Sequence, residues 1–346
     1  MAPRFHPRLV NGPFDDPALY IAFAHEKRAI LFDLGNLSRL SPRDILKITH
    51  CFVSHTHMDH FCGFDHLLRL CLGREKNLHF YGPAGFLDNL EGKLRAYNWN
   101  LVNHFRHPLV LSGTEIADGQ IRSRHYACRD GFKPQTGKDT THPYRGILLK
   151  EPSLSVKAAI LDHGIPCLGF CLEESINIQI DKAAMARMSL MPGPWIRQLK
   201  ETLHQQHDKD TWVEVPTYHD DRRRFRLGEL ANRITRRSNG QKIGYITDAA
   251  GHRENQTKMI ALVRNADHLF IESAFQSEDY RRAASKFHLT ASQAGEVAAK
   301  AGVKRYTLFH FSPRYNDDSG PFYQEARSAH SRISTTPLPQ FRGNKI

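Results

Sequence analysis

The chain has 346 residues, room for one large domain or for one domain carrying an insertion. A hydrophobic share of 40% and a charged share of 24% exclude a disordered polyelectrolyte, and no apolar run reaches the roughly 18 residues of a membrane span. The net charge of +12 points toward an anionic partner and the 21 histidines toward metal, although neither count is itself a site.

In chain order, the polar start from Met1 to Gly12 lacks the apolar core of a signal peptide. Ala29–Asp33 reads as a strand, and Ser41–Lys47 as a short helix opened by a Ser-Pro cap. Leu67–Leu72 continues a helix, Leu78–Tyr81 is a strand, and Gly82-Pro83 turns into a helix that runs to about Tyr97. Residues 130–145 are turn-forming and read as a surface loop. Val156–Leu161, Ile243–Thr247, Leu269–Ile271 and Tyr306–Phe309 are strands. A helix precedes the last of them: Thr290 and Gln293 form its capping box, Ala291, Ala294, Ala298 and Ala301 share one face, and Gly302 ends it. Apolar and amphipathic runs alternate throughout, the pattern of a single α/β domain over 1–346. Residues 172–240 differ, being polar and interrupted by Pro192-Gly193-Pro194, and read as an inserted arm. From about Ser334 the prolines and the missing helical period predict a chain that runs over the surface or frays. The six cysteines are scattered with no CxxC pair, so they form neither a disulfide framework nor a zinc knuckle and point to the reducing cytoplasm; Cys167 and Cys171 read as small buried apolar groups.

Ser54-His55-Thr56-His57-Met58-Asp59-His60 is the sharpest feature. His55 and His57 share one face of an extended segment, because side chains there alternate with period two, and Asp59 and His60 follow from the next turn. Neutral imidazoles with a carboxylate suit Zn²⁺ or Mn²⁺, and four donors in six residues exceed what one catalytic zinc takes from a single segment. Further ligand-type residues follow the carboxyl ends of predicted strands: Asp162 and His163, then Asp248, Glu272 and His310. That edge of an α/β sheet is where loops converge on a site. His55, His57 and His163 can hold one ion and Asp59, His60 and His310 another, with Asp248 between them. Two ions held in this way clamp an in-line displacement, so the reaction class is hydrolysis, of a phosphodiester or of an activated carbonyl.

At these residues the sequence resembles the metallo-β-lactamase superfamily and, within it, the ribonuclease Z family of tRNA 3′-processing endonucleases. Leu161-Asp162-His163-Gly164-Ile165-Pro166 with Gly169-Phe170 and Glu173 is similar to that family's third-histidine motif, and Tyr245-Ile246-Thr247-Asp248 to its bridging-aspartate motif. Glu272-Ser273-Ala274-Phe275 with His288-Leu289-Thr290-Ala291 resembles the Glu and His pair that assists catalysis there. Leu308-Phe309-His310-Phe311-Ser312-Pro313-Arg314-Tyr315 resembles the last-histidine motif, and Pro192-Gly193-Pro194 the Gly-Pro motif of the arm that grips tRNA. Coverage runs from about Ala29 to about Tyr315, with departures: Leu34-Gly35-Asn36-Leu37 stands where the family has Gly-Glu-Gly-Thr-Gln. The resemblance implies a four-layer αβ/βα sandwich, two Zn²⁺ ions per chain, a homodimer, and cleavage leaving a 3′-hydroxyl on the RNA. It further implies that Asp59 holds metal and orients water, and that His288, fixed by Glu272, serves the leaving oxygen. From the residues alone, His288 stands before a helix cap and equally suits a structural role there.

Between 222 and 242, eight cations (Arg222, Arg223, Arg224, Arg226, Arg233, Arg236, Arg237 and Lys242) face one acid, Glu229. With the Gly-Pro turn and Arg314 they are the candidate RNA contacts, while Leu227, Leu230 and Ile234 also fit an ordinary amphipathic helix with a solvated face. His104, His107, His125 and His142 read as packed or solvated residues, and Asp65 and His66 as either ligand-orienting groups or a helix start. The leading expectation is a dinuclear-zinc phosphodiesterase acting on RNA, most of all on the 3′ trailers of tRNA precursors. Two competing expectations are a hydrolase of a lactone, thioester or cyclic nucleotide, with the arm as a lid, and a non-catalytic RNA-binding partner.

Overall fold

The computed structural model describes residues 3–334, apart from 108, 136, 138, 206, 219, 220, 316 and 317. The expectation for the tail beyond Ser334 lies outside the described residues.

The first strands form an eight-stranded sheet in sequence order: β1 (Phe5–Leu9), β2 (Leu19–Phe23), β3 (Ala29–Phe32), β4 (Ile48–Phe52), β5 (Lys76–Pro83), β6 (Leu109–Ala117), β7 (Gln120–Ala127) and β8 (Thr140–Pro143). The ladder is parallel from β3 to β6 and antiparallel at both ends. Parallel neighbours need crossovers, and these carry helices α1 (Pro42–Ile45), α2 (Met58–Phe61), α3 (Phe64–Cys71) and α4 (Phe86–Arg95). Ser41 caps α1 by accepting the Asp44 N–H, with Pro42 at the first helical position, where its missing donor is harmless. Helix α3 buries Phe64, Leu67, Leu68 and Cys71, a spacing of three, four and seven that lays one stripe against Leu78 and Phe80 of the sheet.

A six-stranded sheet follows in the order β18-β17-β16-β11-β10-β9, built from β9 (Ile147–Glu151), β10 (Leu154–Asp162), β11 (Pro166–Glu174), β16 (Lys242–Ile246), β17 (His268–Glu272) and β18 (Tyr306–Phe309). Strands β16, β17 and β18 are parallel. Between β11 and β16 lie β12 (Asn177–Ile180), β13 (Trp212–Pro216), β14 (Arg222–Arg226) and β15 (Thr235–Ser238), with α5 (Lys182–Arg187), α6 (Trp195–His204) and α7 (Leu227–Ile234). Helices α8 (Arg253–Val263), α9 (Tyr280–Ser285), α10 (Ala291–Lys300) and α11 (Gly320–Ser334) complete the described chain.

The chain divides into two compact units, one of residues 1–148, 157–171 and 243–346, the other of 149–156 and 172–242. Inside the first, aromatic rings join the inner faces of both sheets: Phe32 stacks on Phe170 at 5.2 Å, and Tyr245 lies 5.6 Å from Phe32 and 5.2 Å from Phe309. The outer face of the second sheet is covered by α8, α10 and α11 through Met259, Val263, Ala294, Ala298 and Ala326. Small residues let α10 and α11 approach closely: a Cβ on Gly295 would fall 2.2 Å from the Ala326 carbonyl oxygen. These layers make an α/β sandwich of helix, sheet, sheet and helix. The second unit has its own core of Trp195, Leu199, Val215, Leu227, Leu230 and Ile234.

Two local expectations need correction. Gly82 and Pro83 still belong to β5, and α4 starts only after Gly85, whose φ of 86° makes the turn and where glycine meets no penalty. Within the expected loop at 130–145, Thr140–Pro143 pairs with β7 as an edge strand. It is exposed on both faces, so it lacks the apolar alternation that reveals a strand in sequence.

Candidate metal centre

The sequence-predicted ligands converge at the carboxyl ends of the strands of the first unit. Strand β4 leads into Val53-Ser54-His55, and a short extended step places His57 as the residue before α2, which carries Asp59 and His60. Strand β10 ends at Asp162, with His163 next, and β16, β17 and β18 are closed by Asp248, Glu272 and His310. Asn255 of α8, fully buried, ties two of these loops together: its Nδ2 donates to the carbonyls of Asp162 and Ala250, and its Oδ1 accepts the Asp162 N–H.

Ligand atoms of His55, His57, His163 and Asp248 lie within 4.8 Å of one another, as do those of Asp59, His60 and His310. Asp248 reaches both groups. Its Oδ2 is 3.7 Å from His55 Nε2, 3.3 Å from His163 Nε2 and 3.4 Å from His60 Nε2, and its Oδ1 is 3.1 Å from His310 Nε2. Asp59 Oδ2 lies 3.4 Å from His60 Nε2 and 3.7 Å from His310 Nε2.

The Nδ1 atoms of His55, His60 and His163 are held from behind. His60 Nδ1 donates to Asp33 Oδ2 at 2.9 Å, and His163 Nδ1 to the Phe287 carbonyl at 2.9 Å. The Ser54 hydroxyl donates to Asp33 Oδ2 at 2.9 Å, which leaves its oxygen to accept from His55 Nδ1 at 3.1 Å. Asp33 also accepts the Ser54 N–H and the Tyr245 hydroxyl. Burial and the Asp33 carboxylate push the Tyr245 phenol well up, so it remains a donor. With protons assigned to Nδ1 by these partners, the Nε2 lone pairs face the centre. The Nε2 atoms of His55 and His60 are buried and have no hydrogen-bond partner among the described residues. Burial holds His55 and His57 below the usual imidazole range, the neutral form that metals bind. Burial would raise Asp248, but His310 and His60 override it and hold the carboxyl well down. Buried orphan imidazole nitrogens around an ionised carboxylate fit a divalent cation of the zinc or manganese kind.

Backbone strain gathers here too. Asp33, Asp248 and His310 have φ of 58°, 31° and 60°, in the left-handed region that non-glycine residues avoid. Strain of this sort persists where surrounding structure over-determines it, commonly at functional sites.

Ligand atoms of Glu272 and His288 lie within the same reach of Asp248. The fully buried Glu272 accepts N–H bonds from Ala249, Leu289 and Ala274, so its oxygens are committed to backbone. His288 Nδ1 sits 3.1 Å from Glu272 Oε2; burial would lower this imidazole, but the carboxylate outweighs it and brings it up to about 9. The His288 ring centroid is 4.9 Å from that of His163 and 5.9 Å from that of His310. Thr290, not His288, caps α10.

The candidate RNA contacts of the arm lie in the second unit. Pro192, Gly193 and Pro194 lead into α6, and the Trp195 indole donates to the Met191 carbonyl. Arg222, Arg223 and Arg224 stand exposed on β14, paired with β13 so that Arg224 faces Glu214. The guanidinium groups of Arg224 and Arg226 lie 5.2 and 4.2 Å from the Trp212 ring. Counting charge along the chain overstated this patch. Glu214 approaches Arg224, Asp221 approaches Arg223, Asp181 holds Arg236 and Glu173 holds Lys242, acids that stand outside the run or fold back onto it. In the first unit, Arg314 is bound by Asp279 at 3.0 Å and rests on Tyr315. Asp65 pairs with Lys93 and His66 is exposed, so neither orients a ligand.

Sequence reasoning passed over Asp33, Ser54, Tyr245 and Asn255. The available signal was a lone acid closing the apolar run Ala29–Phe32, the same cue that picked out Asp248.

A family profile described as "Beta-lactamase superfamily domain" matches residues 30–149 and 199–311. The chain is 29% identical over 314 residues to ribonuclease Z of Deinococcus radiodurans, covering 89% of this chain and 90% of that protein. Among solved structures it is similar to the metallo-beta-lactamase fold protein YhfI of Bacillus subtilis, with a TM-score of 0.54, 14% identity and 94% of each chain covered. It is also similar to the short form of human tRNase Z, with a TM-score of 0.50, 18% identity, and 90% of this chain and 93% of that one covered.

Proposed function

The chain belongs to the beta-lactamase superfamily, and from that premise we propose that it is an RNA phosphodiesterase of the ribonuclease Z type that removes the 3′ trailers of tRNA precursors. The observation that carries this reading is the carboxylate of Asp248 reaching both histidine groups. His55, His57 and His163 would hold one Zn²⁺ and Asp59, His60 and His310 a second, with Asp248 shared; Mn²⁺ suits the same donors. Such ions supply Lewis-acid activation of water and neutralise charge at a phosphate.

The chain's own groups do the rest. Asp59, whose side chain is 41% exposed, accepts a hydrogen bond from the attacking water and orients it toward phosphorus. As the bond from phosphorus to the 3′ oxygen breaks, His288 delivers the proton that this oxygen needs, and Glu272 stabilises the imidazolium beforehand. The products are a 3′-hydroxyl on the retained RNA and a 5′-phosphate on the trailer. The arm, with Pro192, Gly193 and Pro194 and the Arg222, Arg223 and Arg224 hairpin, grips RNA phosphates; Arg314 is a further phosphate contact. The reading carries a homodimer and a cytoplasmic setting, in keeping with six cysteines that form no disulfide with one another.

A substrate panel tests this reading. Metal-loaded protein is expected to cut a 3′-extended tRNA precursor and to leave lactones, thioesters and cyclic nucleotides intact. Replacing Arg222 and Arg223 with alanine should weaken RNA binding and reduce the slope of log K against log salt concentration by about one per lost phosphate contact, with little change on a small phosphodiester. Turnover of the small substrates with none of RNA would support the small-molecule alternative, and RNA binding without any turnover the non-catalytic one.

A further inference from the structure

Phe287 occupies a conformation that a bulky residue avoids. Its φ of 57° lies in the left-handed region, where glycine would sit without strain. Its ring is nevertheless not used by the core: Phe287 is 41% exposed. Space for the ring is made by Gly164, where an added Cβ would come 3.0 Å from Phe287 Cε2. The ring therefore lies over the turn that follows His163, and the Phe287 carbonyl holds His163 Nδ1 at 2.9 Å. The next residue is His288, fixed on Glu272. Strained backbone on one side and a glycine on the other thus present an aromatic face to solvent between a candidate metal ligand and the candidate proton donor. Ile165, after Gly164, and Met58, between His57 and Asp59, are exposed as well.

Neither the fold nor a bare phosphodiester uses such a face, but a nucleobase does. We propose that Phe287 is a substrate-binding residue that stacks the base of the nucleotide whose 3′ oxygen departs, the nucleotide nearest His288. This inference rests on the RNA-cleaving reading above. Stacking on an aromatic side chain tolerates any base and acts before bond breaking, so its loss raises KM more than it lowers kcat.

The test pairs the side chain with the base. Cleavage of a tRNA precursor is compared with that of the same RNA carrying one abasic residue immediately 5′ or 3′ of the cut. The enzymes are the wild type, Phe287→Gly, Phe287→Leu and Phe287→Tyr, all metal-loaded and checked for unchanged metal content. For the wild type, the 5′ abasic residue is expected to cost about tenfold in kcat/KM, carried by KM, and the 3′ one little. Phe287→Gly, which relieves the backbone, should lose about tenfold on intact RNA and become indifferent to the abasic residue. Phe287→Tyr should behave as wild type and Phe287→Leu fall between. A wild type indifferent to the 5′ abasic residue, or a glycine variant that keeps the full sensitivity, overturns the stacking role and leaves the RNA-cleaving reading standing. A wild type that cuts no RNA overturns both.

Discussion

Replacing Asp248 with asparagine is expected to lower RNA cleavage by on the order of 10³-fold or more and to lower the metal that the protein retains. The size follows from position. One carboxylate, nearly fully buried, lies within 4 Å of His55, His60, His163 and His310. Asparagine keeps the shape and removes the negative charge, so a loss that it shares with alanine is electrostatic and not a packing defect. Asp33→Asn supplies the graded comparison. It leaves every Nε2 donor in place and disturbs the hydrogen bonds that Asp33 makes with His60, Ser54 and Tyr245, so metal affinity should fall by roughly 10- to 100-fold, less than for Asp248. Retained metal and cleavage, read for both variants in one experiment, check the ordering.

His288→Ala is expected to lower kcat by about 10²- to 10⁴-fold, the usual worth of a positioned proton donor, with metal content unchanged. Glu272→Gln separates the donor from its support. His288 is raised because the Glu272 carboxylate outweighs burial, and it donates only while protonated. Activity that depends on it is therefore present at lower pH and lost as pH rises through its pKa. Removing the carboxylate lowers that pKa, so the alkaline limb of the pH–rate profile should move to lower pH in Glu272→Gln. An unmoved limb would mean that His288 is not the titrating acid. RNA with a better leaving group at the cut, such as a 3′-phosphorothiolate, should restore much of the His288→Ala loss, because such a group departs without a proton.

Much of this was legible in the chain because chemistry and periodicity coincide at the strand ends. Apolar runs such as Ile243–Thr247 and Leu269–Ile271 read as buried parallel strands, and the residue that follows each, Asp248 or Glu272, is a ligand type at the edge where sites form. Ligand atoms of the two histidine groups, proposed from the HxHxDH run and the strand ends, lie within 4.8 Å of one another in each group. The less legible parts depend on contacts distant in sequence. Asp33 serves His60 and Tyr245 across 27 and 212 residues, and Asn255 joins loops that end strands far apart in the chain. The charge of the arm misled for a related reason. Glu214, Asp181 and Glu173 meet the arginine run and its end only after β13, β14 and the surrounding elements fold. Phe287 left no sequence signal, since a backbone angle is not written in the identity of a phenylalanine.

The proposed reaction depends on a pair of metal ions that the two histidine groups would hold and Asp248 would share. The most direct test measures bound metal per chain together with cleavage of a 3′-extended tRNA precursor, before and after chelation and again after Zn²⁺ or Mn²⁺ is returned. Two tightly held ions and a single cut leaving a 3′-hydroxyl are expected, with cleavage abolished by chelation and recovered with metal. Cleavage that persists undiminished in fully chelated, metal-free protein would contradict this dependence.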